Sequence, residues 1–214
     1  MSRFRTCSFV VQQSSESALS DEPPDEELLR LFVSSGDRAA FAALYRRYQD
    51  VVYRFALQMS GREAIAEDIT QETFLSLAGA AHRYDARQAK VSTYLYGIVR
   101  NLTRRSLRLD RMLVTLTGTN DDRWKAREPL AEQSLVDRVS KRETIERVRR
   151  AILSLPPRYR EVVVLCDLHR RSYADAAAII GCAEGTVGSR LSRARDLLLE
   201  KLRPMDREPK CGAR

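Results

Sequence analysis

The 214-residue sequence is poor in the residues that most often carry chemistry. It has two histidines, His82 and His169, and one tryptophan, Trp124. Its four cysteines, Cys7, Cys166, Cys182 and Cys211, stand far apart with no C-x-x-C pair. That spacing excludes a disulfide framework and offers no metal-ligand set, so no metal or cofactor is expected and the thiols read as reduced and incidental. A glycine-rich phosphate loop, an H-E-x-x-H pair and a nucleophile elbow are all missing, which leaves no assembled catalytic chemistry and no catalytic residue to assign. No stretch approaches the roughly 18 uninterrupted apolar residues of a membrane span. The opening MSRFRTCSFVVQQSS has too short an apolar run for a secretory signal. The expectation is a cytoplasmic protein without membrane insertion, and not an enzyme. Strand alternation, internal repeats and heptads are also missing, which leaves helices.

What is present is charge, unevenly placed. The formal net charge is +8, a balance that favours an anionic partner. Acids gather between Glu16 and Glu27, whereas Arg83, Arg87, Lys90, Arg100, Arg104, Arg105, Arg108 and Arg111 crowd a later stretch. A charge run is by itself often only a solvated face, so the motifs must decide.

Helical periodicity runs nearly throughout. Asp25, after Pro23-Pro24, is expected to cap a first helix with Leu28, Leu29, Phe32 and Val33 inward and Gly36 as its stop. Asp37 then caps a longer helix bearing Phe41, Leu44, Tyr45, Tyr48, Val52, Phe55 and Met59 at spacings of three and four, closed by Ser60-Gly61. A third helix spans about 62–80 with Ile65, Ile69, Leu75 and Leu77 inward, and a fourth about 91–109 with Leu95, Ile98, Val99 and Leu102 inward. Residues 110–139 lose the pattern in a polar cluster, a linker signature. Helical patterning resumes to Leu155, breaks at Pro156-Pro157 and returns over 158–203. The expected architecture is all-α: two small helical domains, 25–109 and 140–203, joined by a flexible linker at 110–139. A disordered extension at 1–24 and a frayed tail at 204–214 flank them.

The strongest local signal is SYADAAAIIGCAEGTVGSRLSRARDLLL at 172–199. Ser172 caps a short helix over Ala176, Ala177, Ile179 and Ile180. Gly181 supplies the left-handed stop, and a basic second helix follows with Val187, Leu191, Ala194 and Leu198 inward. This is a helix-turn-helix pattern. Arg190 and Arg193 share a face of its second helix, where arginine reads guanine edges or holds phosphates in a major groove. The motif alone implies DNA binding without choosing among classes of DNA-binding protein, and a bundle helix with solvated arginines gives the same pattern.

Four segments in order make the reading specific. SSGDRAAFAALYRRY (34–48), AEDITQETFLSL (66–77), RYDARQAKVSTYLYGIVRNLTRRSLR (83–108) and LSLPPRYREVVVLCDLHRRSYADAAAIIGCAEGTVGSRLSRAR (153–195) resemble the successive segments of extracytoplasmic-function (ECF) RNA polymerase sigma factors. The resemblance covers roughly residues 25–203. It implies a promoter-specific initiation factor whose first domain (sigma region 2) binds core RNA polymerase and reads and melts the −10 element. The second domain (region 4) would read the −35 element. It implies core RNA polymerase and promoter DNA as partners, with an anti-sigma factor expected besides.

Residue by residue, the resemblance implies core-polymerase binding by Asp68, Gln71, Glu72 and Leu75, and −10 DNA binding by Tyr84, Tyr94, Arg100, Asn101, Arg104, Arg105 and Arg108. It assigns the −35 contacts to Glu184, Thr186, Ser189, Arg190, Arg193 and Arg195. The residue types agree. A basic stripe neutralises phosphates, tyrosines beside cations stack on unpaired bases, and an asparagine offers both donor and acceptor to a base edge. Tyr96 reads instead as core. Two departures stand out: Tyr94 where the family commonly has tryptophan, and Gly188 where it commonly has lysine. The latter removes a phosphate contact and costs about 1 kcal/mol of helix propensity relative to alanine. The competing reading, a helix-turn-helix regulator with an unrelated helical sensor, accounts for 172–199 but for neither 66–77 nor 94–108.

Overall fold

The structure, a computed structural model, describes residues 23–117 and 135–203, except for the side chains of 111, 113–117 and 135–142. Calls on residues 1–22, Cys7, Trp124, 204–214 and Cys211 lie outside the described residues. The elements are α1 (Asp25–Ser35), α2 (Arg38–Ser60), α3 (Glu63–Ala80), a 3-10 turn (Ala81–Arg83) and α4 (Val91–Thr117). After residues 118–134 come α5 (Leu135–Leu153), α6 (Pro157–Val163), one π-helical turn (Val164–Leu168), α7 (Tyr173–Ile180) and α8 (Glu184–Leu202). No strand occurs among the described residues.

Local chemistry sets the helix ends. The Asp37 carboxylate accepts from the Ala39 and Ala40 amides at 2.8 and 3.3 Å, capping α2, a contact worth about 1 kcal/mol. Gly36, Gly61 and Gly181 all take the left-handed conformation that ends the preceding helix, with φ of 69°, 73° and 75°, at no steric cost. Ser172 caps α7 by accepting from the Asp175 amide at 3.0 Å. The first cap differs from expectation. Pro24 occupies the cap position of α1, because the Asp25 carboxylate is drawn away to the Tyr48 hydroxyl and the Arg47 guanidinium on α2.

Helices α1–α4 form one unit. Leu44, Val52, Phe55 and Met59 of α2 meet Ile65, Ile69 and Leu77 of α3 and Leu95, Tyr96 and Val99 of α4 in its core. The inward residue of α3 is Phe74 and not Leu75, which stands 65% exposed. Phe74 meets the Phe41 ring edge-on, with Tyr45 tilted against its other neighbourhood at 4.6 Å between centroids. Val33, expected inward on α1, is exposed, since α1 meets the core through Leu28 and Leu29, its two buried residues. Helix α4 continues past the expected boundary at 109 to Thr117, and α5 begins at Leu135; helical residues occupy both ends of the expected 110–139 linker. Helices α5–α8 form the second unit around Leu155, Val162, Leu165, Val187 and Leu191.

The two units lie against one another, and their buried residues merge into one apolar cluster. At the seam, Leu153 of α5 packs on Gly61, where any Cβ would come within 2.8 Å of its methyl group. Helix α7 and the π turn rest on α4 and α2. This seam decides which sequence-predicted site residues face solvent.

Candidate nucleic-acid and partner interfaces

Helix α3 divides cleanly. Ile65, Ala66, Ile69, Thr73, Phe74 and Leu77 are buried, so the helical period turns Asp68, Gln71, Glu72 and Leu75 outward, and all four are exposed. The result is a patch with two carboxylates and an amide around one bare leucine. Leu75 contributes little to the packing of the described residues, and a bare leucine framed by acids suits a partner with an apolar contact and basic surroundings.

Helix α4 carries the basic stripe. Val91, Leu95, Val99 and Thr103 point inward, which sends Asn101, Arg104, Arg105 and Arg108 to solvent. Together with Leu109 and Met112 these residues line a shallow groove of about 440 Å³. Arg104, Arg105 and Arg108 make no hydrogen bond or ion pair with another described residue, so their charge is available to phosphates. At the N-terminal end of the helix, Tyr84 and Tyr94 are half-buried and stack obliquely with ring centroids 5.5 Å apart. The Tyr84 hydroxyl donates to the Ala89 carbonyl at 2.8 Å, which ties down the loop before α4; burial is the main cause that raises its pKa. Tyr96 is buried, as its position in the period requires.

Arg100 differs from the rest of the stripe. Grouped with the stripe by its sequence, it is 8% exposed, and its Nε donates to Glu161 of α6 at 2.5 Å. The second helical unit covers it, and the two charges neutralise each other where neither is solvated.

In the helix-turn-helix, α7 and α8 are joined through Gly181, with Val187, Leu191 and Ala194 packed inward. Glu184, Ser189 and Arg193 are exposed and Thr186 and Arg190 partly so; Arg190 and Arg193 have no hydrogen-bond or ion-pair partner among the described residues. Arg195 differs: its guanidinium pairs with Asp167 of the π turn at 2.5 and 3.2 Å, so it fastens α8 to the rest of its unit. Gly188 faces the Tyr173 ring, and a Cβ there would sit 3.7 Å from it, an ordinary contact. The space for a side chain exists.

Sequence reasoning missed Glu161, Arg160 and His169. Arg160 of α6 donates to the Met59 carbonyl of α2 at 2.6 Å and also bonds the carbonyls of Leu153 and Leu155. His169 places Nδ1 2.6 Å from the Tyr96 hydroxyl and Nε2 2.8 Å from the Gln58 amide oxygen. Burial, then the charges of Arg54 and Arg171, push its pKa down to about 4. Arg171 lies over the Tyr96 ring at 4.5 Å. The partners of these residues are distant in sequence, so no local spacing announces them.

Comparison with known proteins follows the same division. The Sigma-70 region 2 profile matches residues 44–111, and the Sigma-70 region 4 profile matches 145–198. SigM of Mycobacterium tuberculosis, an ECF RNA polymerase sigma factor, is 38% identical over 183 residues, covering 85% of this chain and 86% of the relative. The chain belongs to the ECF sigma factors. SigE of Mycolicibacterium smegmatis is 34% identical, covering 85% of this chain and 70% of the relative. Among solved structures, the sigma factor RpoE in complex with the anti-sigma factor NepR from Bartonella quintana superposes with a TM-score of 0.63 at 28% identity, covering 78% of this chain and 98% of that one. CnrH, solved with the cytosolic domain of CnrY, shares the fold at a TM-score of 0.60 and 24% identity. This sigma factor therefore serves promoter-specific transcription initiation by RNA polymerase, and the alternative of a regulator with an unrelated sensor domain falls, since region 2 fills that half. No helix among the described residues is long and apolar enough to cross a membrane.

Proposed function

We propose a division of labour among three exposed faces. Asp68, Gln71, Glu72 and Leu75 on α3 dock on core polymerase. Asn101 and Tyr84 recognise an unpaired base of the −10 element, with Tyr94 supporting Tyr84, while Arg104, Arg105 and Arg108 hold the backbone. Glu184, Thr186, Ser189, Arg190 and Arg193 read the −35 duplex. The sigma factor supplies no catalytic step; RNA synthesis belongs to the polymerase, which it meets in the cytoplasm. An anti-sigma factor restrains it, a reading supported by its likeness to the NepR-bound RpoE. The observation that carries the −10 assignment is the groove in which Asn101 lies among arginines that have no ion-pair partner among the described residues.

Asn101 and Arg105 are one helical turn apart, so a base-reading amide sits beside a phosphate clamp. A base leaving its pair costs a few kcal/mol, and stacking returns about 1–3 kcal/mol. Capture therefore nearly balances extrusion, and loss of either contact blocks opening more than initial binding. The test is transcription by core polymerase with Asn101→Ala and Tyr84→Ala on a duplex template and on one mismatched across the −10 region. A strong open-complex defect on duplex, with rescue of Tyr84→Ala on the mismatched template and altered base preference for Asn101→Ala, is expected. Wild-type opening by both variants refutes the assignment.

A further inference from the structure

Two apolar side chains close the far end of the basic groove on α4. Leu109 and Met112 stand 52% and 61% exposed, yet they line the same groove as Asn101, Arg104, Arg105 and Arg108. Helical residues three apart are neighbours, with about 5–6 Å between Cβ atoms, a gap that seats one methyl group. Met112 comes about three turns after Asn101, so the two fall close to one line along α4, roughly 16 Å apart. Between Leu109 and Met112, Asp110 turns aside to pair with Arg62 at 2.7 Å, which ties this end of the helix to the head of α3. The arginines select a polyanion, and the apolar end narrows the choice. Base edges are polar nearly throughout, whereas thymine carries a C5-methyl group on the edge that faces the major groove. Uracil and cytosine lack it.

We propose that Leu109 and Met112 hold the methyl group of one thymine at the edge of the −10 region. At about 3.4 Å per base step along a strand, that thymine lies roughly five steps from the base taken by Asn101. The arginines fix the backbone, the Asn101 amide reads one end of the segment, and the apolar pair reads the other. This contact depends on burial and not on charge, so it adds discrimination without strengthening the grip on unrelated sequences. Burying one methyl group is worth about fourfold in affinity. The inference rests on the proposed reading of α4 as the −10 face and extends it to a second base.

The experiment uses the full chain with core polymerase, on a promoter located by mapping its transcription starts on genomic DNA. Each thymine in and around the −10 region, on either strand, is replaced in turn by deoxyuridine, which removes the methyl group and keeps the base pair. Binding by the wild type should fall about fourfold at one position. The double variant Leu109→Ala with Met112→Ala should bind the thymine and deoxyuridine templates alike at that position. Met112→Leu, which keeps an apolar surface there, should keep the difference. Both side chains are exposed, so helical circular dichroism should be unchanged in all three proteins. No loss at a single position in the wild type, or a loss undiminished in the double alanine variant, overturns the thymine contact. Arg104→Ala with Arg105→Ala and Arg108→Ala separates this from the reading beneath it. Weakened binding by that triple variant, with no deoxyuridine effect in the wild type, refutes the thymine contact alone; binding undiminished by the triple variant overturns both.

Discussion

Acidification should loosen the seam through His169, by an amount that follows from its surroundings. The Gln58 amide oxygen only accepts, so Nε2 carries the proton and Nδ1 accepts from the Tyr96 hydroxyl, both within 2.8 Å. The neutral ring is fully satisfied. A second proton would bury a cation facing Arg54 of α2 and Arg171 of its own segment, beside the aromatic rings of Phe55 and Tyr96. Folded, the ring titrates at about 4 instead of 6.5. The solvated ring of an opened or unfolded chain takes up its proton first. The stabilisation is therefore complete above about pH 6.5, declines by about 1.4 kcal/mol per unit as pH falls, and levels off below about pH 4. At pH 5.5 the loss is about 1.4 kcal/mol, or roughly 3–6 °C in melting temperature for a chain of this size. Thermal melts of the wild type and His169→Gln across pH 7.5–5 isolate the effect, because carboxylate titration is common to both. The wild type should lose those degrees relative to the variant. Parallel curves would refute the argument.

Three further outcomes are expected. Gly188→Ala should stabilise α8 by about 1 kcal/mol, since the Tyr173 ring leaves room for its methyl, and Gly188→Lys should in addition tighten binding to −35 duplex; a lowered melting temperature for Gly188→Ala would contradict the open space seen there. Reversing Asp68 and Glu72 to lysine should weaken association with core polymerase on gel filtration, while stability changes by no more than about 0.5 kcal/mol per exposed site; equal affinity would remove this face from the contact. Arg193→Ala should cost about 1–3 kcal/mol of duplex binding with relaxed preference at one position if it reads a base, or a uniform loss and shallower salt dependence if it holds phosphate. No change in either measure would make it a merely solvated residue.

The sequence carried those features whose causes are local. Caps at Asp37 and Ser172, left-handed stops at Gly36, Gly61 and Gly181, and the inward stripes of α2 and α8, apart from Tyr45, which stands 40% exposed, follow from neighbours within one or two helical turns. So did the outward face of α3, although the choice between Phe74 and Leu75 as its inward residue was decided by Phe41 and Tyr45, contributed from α2. Arg100 shows where such reasoning stops. Its spacing makes it one of the stripe, and only a carboxylate 61 positions later removes it from solvent. Arg195 is similar, because the π turn that brings Asp167 to it leaves no mark in helical periodicity. His169 read as an isolated histidine, since Tyr96 and Gln58 reach it from two other helices.

The pairing of Arg100 with Glu161 binds the two halves of the chain together as sequences. A change at either position leaves the other a lone charge within the seam, a cost of about 3–5 kcal/mol unless both change together. A chimera that joined this region 2 unit to a region 4 unit without the carboxylate would carry that cost.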